Sequence, residues 1–176
     1  MINSKIFYSF GGGDEQYTPA STVEILLPYI QHLKDKIIWL PFDTKESEFV
    51  KVLSKNGFKV IYSHISYGQD FFRYEPTNWD VIISNPPYKN KGLFWERCLE
   101  FNKPFALLLP INVLSDSLIN RTMKNRDNEF QLLIPSRRTK FYNANLDIIG
   151  KSPSFKAAYF GVNLFNSQII LADLEV

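Results

Sequence analysis

The stretch that decides the reading is Asp80-Val81-Ile82-Ile83-Ser84-Asn85-Pro86-Pro87-Tyr88. A short apolar, β-branched run bounded by polar residues is the pattern of a buried strand. This one empties without a spacer into Asn85-Pro86-Pro87-Tyr88. In mostly parallel sheets ligands bind beyond the carboxyl ends of the strands, so the loop stands where chemistry is expected. A residue before proline is driven from helical into extended backbone, and two successive prolines stiffen the chain at and after that point. The carbonyls of Asn85 and Pro86 are therefore held in fixed directions.

Working outward, apolar strand-like runs alternate with helix-like segments on both sides of this loop, the pattern of a mostly parallel sheet covered on both faces. Upstream, residues 36–40 read as a buried strand that ends at Pro41-Phe42-Asp43. A helix comes next, capped by Asp43 with Glu46 three residues on. It carries Phe49, Val50 and Leu53 inward and stops at Asn56-Gly57. Residues 58–62 read as the second strand, and a turn at Gly68 leads to Asp70-Phe71-Phe72. Nearer the start, Thr18 is placed as N-cap of the first helix with Pro19 at its first position. Val23, Leu26, Leu27 and Ile30 form that helix's apolar face, and Pro28 is a kink or break. Downstream, a helix over 93–100 and a strand over 105–109 make the next unit. A helix near 116–123 and strands near 130–134 and 157–165 complete the pattern. The Gly11-Gly12-Gly13 stretch is the one linker-like feature, so the whole chain, 1–176, is expected to form one domain.

The composition sets bounds on function. Hydrophobic residues make up 45% and charged residues 22% of the 176, which is globular rather than disordered. No apolar run reaches the roughly 18 to 20 residues of a bilayer span, and no basic-then-apolar leader opens the chain, so the expectation is a cytoplasmic protein with no membrane partner. The one cysteine, Cys98, has no partner for an internal disulfide and no neighbouring ligands for a metal; it reads as a buried helical thiol, and no metal site is expected. A net charge of +2 neither announces nor excludes a nucleic acid. The cations do cluster, at Lys89/Lys91, at Arg121/Lys124/Arg126 and at Arg137/Arg138/Lys140, although a solvated face explains any one cluster equally well.

The stiff loop suits one chemistry in particular. An amino nitrogen conjugated to an aromatic base is a poor nucleophile. Two acceptors bonded to its hydrogens draw it toward tetrahedral geometry and aim its lone pair at a methyl donor. The Asn85 side-chain oxygen and the Pro86 carbonyl are the natural acceptors, and Tyr88 offers a flat face for a flipped base.

Asn85-Pro86-Pro87-Tyr88 resembles the signature tetrapeptide of the amino-methyltransferases, Asp/Asn/Ser-Pro-Pro-Tyr/Phe/Trp, at every position. More closely, most of the chain is similar to the small phage-type DNA adenine methyltransferases, in their order of motifs. The resemblance implies an α/β, Rossmann-like sheet of seven strands, mostly parallel with the last antiparallel, and helices on both faces. It also implies S-adenosylmethionine as cofactor, adenine in DNA as substrate, and Asn85, Pro86, Pro87 and Tyr88 as the catalytic loop. Tyr17-Thr18-Pro19 is similar to the N-terminal motif beside the methionine end of the donor. Pro41-Phe42-Asp43 resembles the first-strand motif, whose acidic residue helps hold the cofactor's amino group. Asp70-Phe71 resembles the pair that contacts the cofactor's adenine. Arg137-Arg138-Thr139-Lys140-Phe141 resembles a late motif that brings a ring toward the target base; Phe141 in the core is the alternative.

Two departures stand out. Thr44-Lys45-Glu46-Ser47 comes after Asp43 where the family has glycines, which implies cofactor binding that is weak or differently built. Ser63-His64 ends the second strand where the family has an acidic residue, so His64 is the candidate ribose partner, with a surface histidine as the alternative. The same tetrapeptide serves methyltransferases acting on RNA adenine or guanine and on protein glutamine. The missing glycines also keep open a catalytically silent binding subunit. With no separate recognition domain, only residues 115–140 remain to read sequence, and a partner protein is the other source of specificity.

Overall fold

The computed structural model describes residues 17–141 and 156–173. The Gly11-Gly12-Gly13 stretch lies outside them. Among the described residues seven strands form one sheet: β1 (Ile37–Leu40), β2 (Lys59–Tyr62), β3 (Val81–Ser84), β4 (Phe105–Pro110), β5 (Phe130–Pro135), β6 (Ala157–Val162) and β7 (Ile169–Ala172). Their order across the sheet is β2-β1-β3-β4-β6-β5-β7. β2, β1, β3 and β4 are mutually parallel, β6 runs antiparallel between β4 and β5, and β7 pairs parallel with β5. The mostly parallel seven-stranded sheet is thus present. Its antiparallel strand is the sixth rather than the last, because the short run Ile169-Ile170-Leu171-Ala172 adds an edge beyond β5.

Successive strand residues point to opposite faces, so an all-apolar strand must be covered on both. Ile38, Leu40, Val81, Ile83, Ala106, Leu108 and Tyr159 pack on one face with α1 (Ala20–Glu24), the turns after it and α2 (Glu48–Lys55). Trp39, Ile82, Phe105, Leu107, Leu109, Phe160 and Val162 pack on the other with α3 (Lys91–Glu100) and α4 (Ser117–Met123). Helices on both faces of a central sheet give three layers. Trp39 is the hub of the second face: it is fully buried against Phe71, Tyr74, Trp79 and Phe101, and its Nε1 donates to Ser63 Oγ at 2.9 Å. Cys98 is buried on α3, and burial holds its thiol well above the ordinary value.

Several boundaries differ from expectation for identifiable reasons. Pro19 (φ −69°, ψ 153°) is itself the N-cap of α1 and Thr18 precedes it. The helix lasts five residues, then passes into two 3₁₀ turns, Leu27–Tyr29 and Gln31–Leu33, the first with Pro28 at its second position, where the missing N–H costs nothing. Ser47, not Asp43, is the N-cap of α2. Asp43 turns inward to other partners, and residues 44–47 form a separate turn in which Ser47 N donates to Thr44 O at 3.0 Å. The end of α2 is as expected, with Gly57 at φ 79° just past Asn56. β6 ends at Val162 rather than continuing to 165. Asn163 (φ 51°) turns the chain, and Gln131 Oε1 takes the N–H groups of Leu164 and Phe165 at 2.7 Å each. Among the described residues no helix is long and apolar enough to cross a membrane.

Candidate active site

β1 connects outward to β2 on one side while β3 lies on the other, so the sheet order reverses between β1 and β3. The crevice beyond the carboxyl ends of two such strands is the favoured ligand position in open α/β sheets. Both strands deliver polar side chains there, Asp43 after β1 and Ser84 and Asn85 from β3. After β1 the chain is tied to the end of β2: Ser63 N donates to Leu40 O at 3.0 Å and Asp43 N to Ser63 O at 3.2 Å. This sends the Asp43 carboxylate, 6% exposed, toward the end of β3. There Ser84, fully buried, donates its hydroxyl to Asp43 Oδ2, and Ser47 donates to Oδ1. Burial raises the Asp43 pKa from 3.8 to about 6, against the pull of the two hydroxyl bonds.

The next residue after Ser84 is Asn85, whose Nδ2 donates to Thr18 Oγ1 at 3.1 Å, joining the loop to the N-terminal motif. Pro86 is buried, while Asn85, Pro87 and Tyr88 are half-buried. The Tyr88 ring meets buried Phe141 edge-on, with centroids 6.1 Å apart and planes at 86°. The late segment is therefore beside the loop, with Phe141 in the core and in contact with Tyr88 at once. Two further bonds lock these pieces: Tyr159 on β6 donates its hydroxyl to Thr22 O at 2.8 Å, and Thr22 Oγ1 lies 3.3 Å from Thr139 Oγ1. Burial pushes the Tyr159 hydroxyl up, and nearby Tyr88 and Asp43 add to it, so these three groups share one poorly solvated region.

The other expected residues occupy varied environments. Tyr17 is exposed and Pro19 caps α1. Pro41 is buried, and Phe42 is half-buried between Phe71 and Phe94, with both centroid distances 4.9 Å. Asp70 is 6% exposed; its Oδ1 accepts from Phe72 N at 3.1 Å, while Oδ2 is buried with no hydrogen-bond partner, Arg73 Nε being 3.9 Å away. Phe71 is fully buried beneath Phe42 and Phe72, so it is a core ring and Phe42 and Phe72 are the accessible ones. His64 caps its own turn, accepting from Ser66 N at 3.1 Å, with Ser66 Oγ 2.7 Å from Nδ1. Among the clustered cations, Lys91 pairs with Asp116 (3.6 Å), Arg121 with Glu96 (2.7 Å) and Arg126 with Glu129 (2.7 Å). Lys89, Lys124, Arg137, Arg138 and Lys140 are exposed.

No protein-family model and no curated protein matches the sequence. Solved structures do match. A protein from Listeria monocytogenes described as a class I S-adenosylmethionine-dependent methyltransferase superposes with a TM-score of 0.57 at 15% identity, over 98% of this chain and 70% of that one. The fold is that of the Rossmann-like methyltransferases. A protein from Vibrio vulnificus YJ016 described as a modification subunit of a type I restriction enzyme superposes with a TM-score of 0.52 at 14% identity, over 96% of this chain. The match spans 49% of the Vibrio protein, so this chain has about half its length.

Within this methyltransferase fold, the residues can be tested for their fit to a sulfonium amino-acid nucleoside. Asp70 Oδ2 is a buried acceptor lacking a donor, which an adenine amino group would supply. An ionised carboxylate accepts about four hydrogen bonds, so the two hydroxyls on Asp43 leave it capacity for an ammonium. The residues fit. Ser47, Ser84, Thr22 and Tyr159 join the site without having been read as site residues in the sequence, and Thr139 joins it from within the late motif. Ser84 carried a signal, a small hydroxyl closing an otherwise apolar strand. Tyr159 carried none, since a tyrosine inside an apolar strand reads as core.

Proposed function

We propose that this chain is an S-adenosylmethionine-dependent methyltransferase that acts in the cytoplasm on the exocyclic N6 amino group of adenine in DNA. The observation that carries the reading is the placement of Asn85-Pro86-Pro87-Tyr88 at the end of β3, one residue from the Ser84–Asp43 contact at the point where the strand order reverses. The cofactor would supply an electrophilic methyl group on sulfur. Asp43 would hold its ammonium and Asp70 its adenine amino group, with Phe42, Tyr17 and Pro19 lining the site. On the substrate side, Asn85 Oδ1 and the Pro86 carbonyl accept the two hydrogens of the target amino group, and Tyr88 supports the base. Acceptors fixed by two prolines need no reorganisation as charge develops on that nitrogen, which is the source of electrostatic stabilisation. The exposed Lys89, Arg137, Arg138 and Lys140 suit phosphates, which position a nucleic acid without specifying its sequence. Specificity for a particular sequence would come from a partner, a division of labour in keeping with the subunit description of the Vibrio structure.

One observation favours a second reading, a catalytically silent subunit: both Asp43 oxygens are already engaged by Ser47 and Ser84, where glycines would open the backbone to a ligand. Methyl transfer from labelled cofactor to duplex DNA, RNA and release-factor protein, with analysis of the modified residue, separates the readings. Label on DNA adenine supports the first. Label on RNA or on glutamine reassigns the substrate, and failure to bind cofactor supports the silent subunit.

A further inference from the structure

We propose that Thr18 is a positioning residue for methyl transfer, its hydroxyl holding the Asn85 amide so that Oδ1 rather than Nδ2 meets the target amino group. The inference rests on the reading of Asn85 as an acceptor for that group, and it moves Thr18 from the cofactor side of the site to the substrate side.

A primary amide has nearly the same shape when rotated by half a turn, but the two rotamers have opposite chemistry. One presents an acceptor to the substrate amine, and the other presents two donors to a group that is itself a donor. Asn85 precedes Pro86, so its backbone is restricted to extended geometry and the side-chain torsions are its main remaining freedom. Thr18 Oγ1 accepts from Asn85 Nδ2 at 3.1 Å, the rotamer that leaves Oδ1 for the substrate amine. Thr18 is 8% exposed, so water competes poorly for the contact.

Thr18 is itself held in place. It directly precedes Pro19, the N-cap of α1, and Thr22 N donates back to Pro19 O at 3.1 Å. Thr22 O takes the hydroxyl of Tyr159, and Thr22 Oγ1 meets Thr139. The first turn of α1 is thereby fixed to β6 and to the late segment, and it carries a fixed hydroxyl to the catalytic loop. A buried polar network spread over four distant parts of the chain thus has a use.

The test is a pair of variants, Thr18→Val and Thr18→Ser, assayed for methyl transfer to duplex DNA at saturating cofactor and DNA, with cofactor affinity measured separately by calorimetry. Thr18→Val is a close isostere that removes the hydroxyl. Its kcat is expected to fall about tenfold, the scale of losing one buried hydrogen bond, with cofactor Kd unchanged to within about twofold. Thr18→Ser is expected to retain near-normal kcat. Thr18→Val with weakened cofactor binding and intact kcat would return Thr18 to the cofactor side and overturn the proposal. So would Thr18→Ser failing as badly as Thr18→Val, since packing would then be the cause. A wild-type protein that transfers no methyl group overturns the methyltransferase reading and the catalytic role of Thr18 with it. The pairing is read separately from the Asn85 side-chain amide resonances in ¹⁵N spectra: a shift between wild type and Thr18→Val supports it, and identical resonances overturn it.

Discussion

Asp43 has two couplings of opposite sign. Its neutral form is favoured by burial, with a folded pKa of about 6 against 3.8 for the free group. In the ligand-free protein its contribution to stability is therefore fully present below about 3.8 and is lost as pH rises through about 6. Attraction for an ammonium runs the other way, because only the ionised carboxylate provides it. Cofactor affinity is thus expected to weaken as pH falls below about 6. Asp43→Ala should lower affinity at neutral pH by about tenfold or more and flatten that dependence, since a charge-assisted hydrogen bond contributes roughly 1.5 to 3 kcal/mol. Calorimetric titrations from about pH 5 to about pH 8 check both statements. An unchanged affinity in a folded variant would remove Asp43 from the site.

The same carboxylate shows why one element boundary was hidden. Asp43 with Glu46 three residues later reads as a helix start, but the partner that draws Asp43 inward, Ser84, is 41 residues away, and no local pattern records it. Helix α2 consequently begins at Glu48. The central strands were legible because burial on both faces demands continuous apolar runs, and the stiff turn Asn85-Pro86-Pro87-Tyr88 at the end of β3 was legible because proline acts on its immediate neighbours. β7 was not, being four residues long and held by tertiary contacts, and the first helix was legible in place but not in length, since it ends after five residues. At Phe71 adjacent rings look equivalent in sequence, and only packing shows that Phe71 lies beneath Phe42 and Phe72. Packing also identifies the side chain on which the second layer depends. Trp39→Ala leaves a cavity among Phe71, Tyr74, Trp79 and Phe101 and should cost about 3 to 5 kcal/mol, read from chemical denaturation. A loss below about 1 kcal/mol would show that these rings collapse freely into the space.

Across the whole molecule, the loop after β3 and the late segment that meets it both carry exposed cations. Lys91, Arg121 and Arg126 engage carboxylates, whereas Lys89, Arg137 and Lys140 are exposed on the segments bearing Tyr88 and Phe141, where the proposed DNA substrate would bring its phosphates. DNA affinity should fall steeply with salt and vary little with sequence. Arg137→Ala and Lys140→Ala should each lower the log–log salt slope by about 1, equally on unrelated duplexes. A loss confined to one sequence would instead place these residues at base edges. The proposed action of Asn85 on the amino group of adenine has a direct measurement. Plasmid DNA is incubated with cofactor and either wild-type protein or Asn85→Ala, digested to nucleosides, and analysed by mass spectrometry, with cofactor affinity measured in parallel. N6-methyladenine is expected with the wild type and none above background with Asn85→Ala, the two proteins binding cofactor nearly equally. Near-normal N6-methyladenine from Asn85→Ala, or a wild type that binds cofactor and methylates no adenine, would refute that role.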